Sequence, residues 1–176
     1  NFVSRLKLPE GSRFIEVQRV DGKAIQADFR DLALLLLGDS ERTKRFLKKH
    51  KPDTLEAAEE ARNALYEEML EQRRAVELEW KCDKESFLML VGKLCKGYRL
   101  VIREDGLHDA PGDIEGWCRE LSAQWSDYCL AELDMFSETH GVFLIKKEHC
   151  DEAVRLAEKL LLTVRIYGNG EEARNV

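Results

Sequence analysis

From residue 53 onward the apolar positions switch repeatedly between a helical spacing of three and four and a strand alternation of two, and turn residues mark the switches. Leu55, Ala58, Ala61, Leu65, Met69 and Leu70 keep the helical spacing. Lys51-Pro52 breaks the chain before them, and Asp53 followed by Glu56 supplies a capping-box-like start, so a long helix is predicted to about Arg74 with one stripe packed on a core. The pattern then predicts a strand over 76–80, a helix over 84–95 capped by Asp83, a strand over 98–102 and a loop over 103–112. A helix over 113–124, a strand over 128–135, a turn over 137–141, a strand over 142–146, a helix over 150–160 and a strand over 162–167 follow.

From Tyr98 the order is β-α-β-β-α-β. It predicts an α+β, two-layer sandwich of ferredoxin-like type, with two helices on one face of an antiparallel sheet and an extra strand and helices on the N-terminal side. Upstream, residues 14–20 have strand formers, Asp21-Gly22 signals a hairpin, and 24–27 is the expected return strand. Asp28 or Asp31 is expected to cap a short helix carrying Leu32, Leu34, Leu35 and Leu36, which Gly38 ends. Another helix, 41–50, begins after Ser40. The domain reading is an N-terminal hairpin with short helices over 1–52 packing on the core, a sandwich domain over 53–168 and a disordered tail over 169–176. Alternation puts Cys129, Ala131, Leu133 and Met135 toward helices, with Tyr128, Leu130, Glu132 and Asp134 on the opposite face. Arg99, Arg103, Arg165 and Tyr167 share that second face, which is expected to be covered by the N-terminal segment or open to a partner.

Composition changes the picture little: 176 residues, 44% hydrophobic, suffice for a sizeable core. Charge changes it more. The span 104–138 holds ten carboxylates and one base, Arg119, for a local charge of −9 against −6 for the whole chain. The helix over 41–50 carries Arg42, Lys44, Arg45, Lys48 and Lys49, which reads first as a solvated face and second as a contact for an anionic partner. Five scattered cysteines with no C-x-x-C pair favour reduced thiols in a cytoplasmic protein. No signal-peptide pattern opens the chain, and its longest apolar run, 32–37, is too short to span a bilayer.

The loop 103–113 gathers Glu104, Asp105, His108, Asp109 and Asp113 between a strand and a helix. Such a set suits structural turns and caps, a partner-facing acidic loop or, less well, a hard-cation or acid–base site; the alternating carboxylates of a calcium loop are missing. Paired carboxylates Glu132 and Asp134 lie on one strand face, as in acid–base enzymes and as in any solvated sheet. His140 reads as an exposed turn residue. Zinc needs closely spaced ligand pairs, which the sequence lacks. Cys150 opens a helix beside His149, a setting that favours thiolate, yet no orienting base or oxyanion donor can be named, so a structural thiol is expected. RNA-recognition domains share the predicted element order, but His140-Gly141-Val142-Phe143-Leu144-Ile145 keeps one aromatic, out of phase with their motif. The acidic block also repels phosphate, so nucleic acid is disfavoured. Phosphate-cradling loops, nucleophile elbows and dinucleotide fingerprints are missing.

The run from Ala75 through Trp80, Lys81, Asp83 and Glu85 to Phe87, with Leu133-Asp134, Val142-Phe143-Leu144-Ile145 and Ala157-Glu158-Lys159-Leu160, resembles small bacterial domains of unknown function over residues 75–168. The resemblance implies a bacterial cytoplasmic protein and transfers no catalytic residue. Together these readings point to a non-enzymatic, immunity-like module that binds a protein with a basic surface through Asp105, His108, Asp109, Asp113, Tyr128, Glu132 and Asp134, with no cofactor, metal or membrane role. Trp117 and Trp125 are secondary anchor candidates, expected first in the core. A homodimer fits the same surface. The alternatives are a metal-dependent hydrolase using loop 104–113 and nucleic-acid binding through 41–51.

Overall fold

Asp21 caps a helix instead of turning a hairpin. Its side chain accepts from the Lys23 N–H, and α1 (Gly22–Leu37) runs through the expected return strand. Ile25, Phe29, Leu32, Ala33 and Leu36 recur every three or four residues, so a 16-residue helix buries them as one stripe where a strand would split them between faces. The strand before it does form, as β2 (Ile15–Gln18), but pairs antiparallel with β1 (Val3–Leu6). The computed structural model describes residues 3–6, 15–18 and 21–168, so the tail expected over 169–176 lies outside the described residues.

Side-chain caps start the next four helices. Ser40 caps α2 (Glu41–Lys49), Thr54 caps α3 (Leu55–Glu71), Asp83 caps α4 (Lys84–Gly97) and Asp113 caps α5 (Ile114–Ser122), each side chain accepting a backbone N–H three residues on. At α3 the cap, Thr54, lies one residue after the Asp53 that the capping-box pattern marked. α6 (Cys150–Lys159) instead follows a 3-10 turn, Lys147–His149. The strands are β3 (Ala75–Glu79), β4 (Tyr128–Leu133), β5 (Thr139–Lys146) and β6 (Val164–Tyr167), in one antiparallel sheet of order β3-β5-β4-β6.

The α+β class therefore holds, while the finer layout differs from the ferredoxin-like one. Residues 98–102 form no strand, and β3 takes the first place in the β-α-β-β-α-β order. The last strand lies beside β4, where a ferredoxin-like sheet would put it beside the first. Both crossovers, β3 to β4 and β5 to β6, thus step over one strand in the same direction, and they start from antiparallel strands. Crossovers of one hand must then carry their helices to opposite faces. α4 and α5 pack with Leu78, Leu130, Val142, Leu144 and Tyr167 on one face. α1, α3 and α6 pack with Ala75, Cys129, Ala131, Phe143 and Ile145 on the other, with Phe46 of α2 in the same cluster. The sheet is covered on both sides, so the face carrying Glu132 is not an open one.

The missing strand has a local cause. Leu100 N–H returns to Cys95 O and Arg99 N–H to Lys96 O, with Arg99 in the left-handed region at φ 58°. This is the Schellman ending, which redirects the chain. Side chains then take the strand's place: Gln124 accepts from the Arg103 N–H and donates to its carbonyl, and Trp125 Nε1 donates to Val101 O. α3 and α6 end the same way at Arg73 and Leu161, φ 58° and 57°.

Candidate functional site

Three polar constellations emerge. The first is the acidic loop, which α5 fastens down. His108 Nδ1 lies 2.7 Å from Glu120 Oε1 and its Nε2 lies 2.7 Å from Asp113 Oδ2. Ionised carboxylates accept only, so this geometry suits the protonated ring, with both nitrogens donating. The Glu120 hydrogen bond, reinforced by Asp113, holds its pKa above the ordinary value. Glu120 also accepts the His108 N–H, and Trp117 Nε1 donates to the His108 carbonyl, so the loop residue is gripped on three sides. With both nitrogens engaged, the ring offers no lone pair to a metal; among the described residues no cluster of His, Cys, Asp and Glu is arranged to hold an ion. Asp109 pairs with Lys84 Nζ at 2.8 Å, which holds its carboxyl below the usual range. Asp105 is exposed.

The second constellation sits beneath α5. Glu132, 3% exposed, stands opposite Arg165 in the β4–β6 register. It accepts from Tyr167 OH at 2.5 Å and His140 Nδ1 at 3.1 Å, and Arg165 Nη1 lies 3.8 Å away. Arg165 Nη2 reaches Asp134 Oδ2 at 2.5 Å, and Asp134 Oδ1 accepts the Phe136 N–H. A buried carboxylate is tolerated only when donors surround it, and the two neighbouring strands β5 and β6 supply them here. Burial, and then the bond to Glu132, pushes the Tyr167 phenol far up. His140 is oriented by its carboxylate in the manner of a general base. On the other face Tyr66 OH donates to Glu77, its ring lying against Gly141.

The third constellation is basic. Arg42 of α2 bridges Glu68 at 2.7 Å and Glu71 at 3.0 Å on α3, and Lys44 pairs with Glu41. Among the described residues no carboxylate pairs with Arg45, Lys48, Lys49 or Lys51, all of them exposed. Beside them Lys49, His50, Lys51 and Pro52 wall a groove of about 380 Å³ whose floor is Ala57, Ala61 and Ala64, one face of α3, with Glu60 on its rim.

The seven residues singled out by the sequence thus divide. His108 and Asp113 meet, and Glu132 and Asp134 meet, with no hydrogen bond or ion pair joining the two sets among the described residues. Tyr128 packs edge-on to Tyr98, 5.5 Å between centroids, and borders a cavity with Ser126, Asp127, Lys146, Lys147 and Glu148. Glu132 is buried, and Asp134 is half-buried and paired with Arg165, so neither presents an unpaired charge to solvent. Sequence reasoning missed Glu120, Lys84, Arg165 and Tyr167 as partners and took His140 for a turn residue. Strand alternation already placed Arg165 and Tyr167 on Glu132's face; only the register brings them opposite it.

No curated protein and no solved structure matches the chain. One family profile does match, over residues 24–167, from within α1 to the end of β6. The chain belongs to that family, described as a domain of unknown function, DUF6630.

Proposed function

We propose that the protein is a non-catalytic binding module that docks an acidic segment of another protein along α2 and the groove between α2 and α3. The supporting observation is the contrast between its two charge blocks. Six of the ten carboxylates in 104–138 are engaged internally: Asp109 with Lys84, Asp113 and Glu120 with His108, Glu115 with Arg119, and Glu132 and Asp134 with Arg165. The basic helix and the residue two beyond its end keep four cations, Arg45, Lys48, Lys49 and Lys51, without such partners among the described residues. Surfaces of one sign steer partners of the other, and the alanine floor suits apolar side chains between the acidic ones. Glu60 on the rim, and Glu56 and Glu59 exposed on α3, oppose a continuous phosphate backbone, which favours a short acidic peptide over nucleic acid.

The test is retention on immobilised poly-glutamate and on duplex DNA, at low and high salt, for the wild type and for Lys48→Glu/Lys49→Glu/Lys51→Glu. The expected result is salt-sensitive retention on poly-glutamate that the triple variant loses. Equal retention by the variant would overturn the proposal, and retention on DNA alone would replace it with the nucleic-acid reading.

A second reading keeps the acidic loop as the docking face for a basic protein. It is favoured by the groove between α4 and 99–104, lined by Leu88, Leu100, Ile102 and Val101, the last 75% exposed, together with Glu104. Lys96 and Arg99 in the same lining weaken it, and Asp105→Lys with Glu104→Lys is its test: loss of a partner retained by the wild type supports it.

A further inference from the structure

The geometry points to Cys129 and Cys150 as a peroxide-sensitive pair that closes to a disulfide, a modification site independent of the binding face. Their Sγ atoms lie 3.2 Å apart in the reduced structure. A disulfide needs about 2.05 Å, so closure asks for an approach of roughly 1 Å, within the reach of small side-chain rotations. The proximity is built into the fold. Cys129 stands opposite Ile145 in the β4–β5 ladder, and the chain leaves β5 through the turn Lys147–His149 directly into α6, whose first residue is Cys150. The Cys150 Sγ also lies 3.5 Å from Lys146 O. The ladder and the turn hold the two backbones that carry these sulfurs in place.

Access sets the order of events. Cys150 is 9% exposed and Cys129 1%. The Cys150 sulfur attacks one oxygen of a hydroperoxide, an S–O bond forms as the O–O bond breaks, and the second oxygen leaves as water or alcohol, giving the sulfenic acid. The Cys129 sulfur then attacks the Cys150 sulfur, an S–S bond forms, and the S–O bond breaks with loss of water. Two thiols supply two electrons to one peroxide, and both thiol protons leave in the products. Among the described residues Cys82, Cys95 and Cys118 have no hydrogen bond to a second thiol, which distinguishes them from this pair. Burial pushes the Cys95 thiol up to about 12 and Cys118 well above its usual range, and raises Cys82 as well.

The sequence makes the test clean, because trypsin places each cysteine on a separate peptide: Cys82, Cys95 and Cys118 on their own, Cys129 in 120–146 and Cys150 in 148–155. The reduced full chain is treated with stoichiometric hydrogen peroxide, denatured, alkylated, digested and read by mass spectrometry. The expected product is peptide 120–146 joined to 148–155, reversed by dithiothreitol, with Cys82, Cys95 and Cys118 alkylated as in the untreated protein. In Cys129→Ser the Cys150 sulfenic acid should persist and be trapped by dimedone. A cross-link between any other pair, uniform alkylation of all five thiols, or dimedone labelling of Cys150 that is equal in the wild type and Cys129→Ser would overturn the proposal. Circular dichroism of the variant before oxidation separates misfolding from a failed reaction.

Discussion

Gly141→Ala perturbs the most tightly determined contact in the sheet. Gly141 lies in β5, paired with Glu77 of β3 on one side and Leu133 of β4 on the other, so its backbone is held by two ladders. An added Cβ would meet the Tyr66 ring, with Cδ2 at 3.1 Å and Cζ at 3.2 Å and Cε2 closer still. The strand cannot retreat, so the ring must. Tyr66 is 5% exposed and its hydroxyl donates to Glu77, and displacing the ring therefore breaks that bond too. Overpacking a filled site costs about 1–3 kcal/mol. A hydrogen bond to a charged group contributes about 1.5–3 kcal/mol. The lower chain entropy of alanine returns about 0.4–1 kcal/mol. The net expectation is a loss of roughly 2–5 kcal/mol, or about 5–15 °C in Tm for a chain of this size. Urea unfolding followed by circular dichroism measures it. In a Tyr66→Ala background the same alanine should cost nothing or stabilise, because the clash has no partner, and the double-mutant cycle should show strong coupling. A Gly141→Ala change within about 0.5 kcal/mol of wild type, or additive effects with Tyr66→Ala, would refute the reasoning.

Further outcomes follow from the same geometry. Tyr167→Phe removes a donor from the buried Glu132 carboxylate and should cost about 1.5–3 kcal/mol in urea unfolding; a neutral change would mean that Glu132 has other donors enough. The folded His108 pKa lies above the unfolded value of 6.5, so its stabilisation is complete below pH 6.5 and is lost as pH rises through the folded value. The stability difference between wild type and His108→Gln should accordingly shrink from pH 6 to pH 8.5, and a difference independent of pH would exclude the clamp. Leu161→Gly should stabilise by about 0.5–1 kcal/mol, because Leu161 is 73% exposed at φ 57° and loses little burial in exchange for backbone freedom; destabilisation would argue against the Schellman ending of α6.

The placement of Glu132 explains why a charge count along the chain misleads about the surface. Ten carboxylates in 35 consecutive residues read as an acidic face, yet their partners Lys84, His140 and Arg165 lie outside the helix or strand that carries each carboxylate. His108, Asp113 and Glu120 lie within 13 residues, close enough to group by sequence, but the clamp needs α5 to project Glu120 back over the loop. Pairing across strands and helices has no signature in local composition. The basic helix escapes this fate because its cations project from one exposed face, with only Arg42 reaching α3.

By itself the sequence determined most of the local elements, because caps and hydrophobic period act over a few residues: Ser40, Asp83 and Asp113 mark helix starts, and the alternation through β4 separated its two faces correctly, although both proved to be buried. It misread 24–27 and 98–102, short segments with three and four apolar residues whose local pattern does not choose the element, so the outcome depended on how much neighbouring surface each could bury. Only the tertiary structure decided which sheet edge β6 joins, and with it that helices cover both faces and that Glu132 is buried. Crossovers of one hand to either edge of a sheet are written with the same strand and helix signals, so the choice rests on which faces of α1, α3 and α6 find each other.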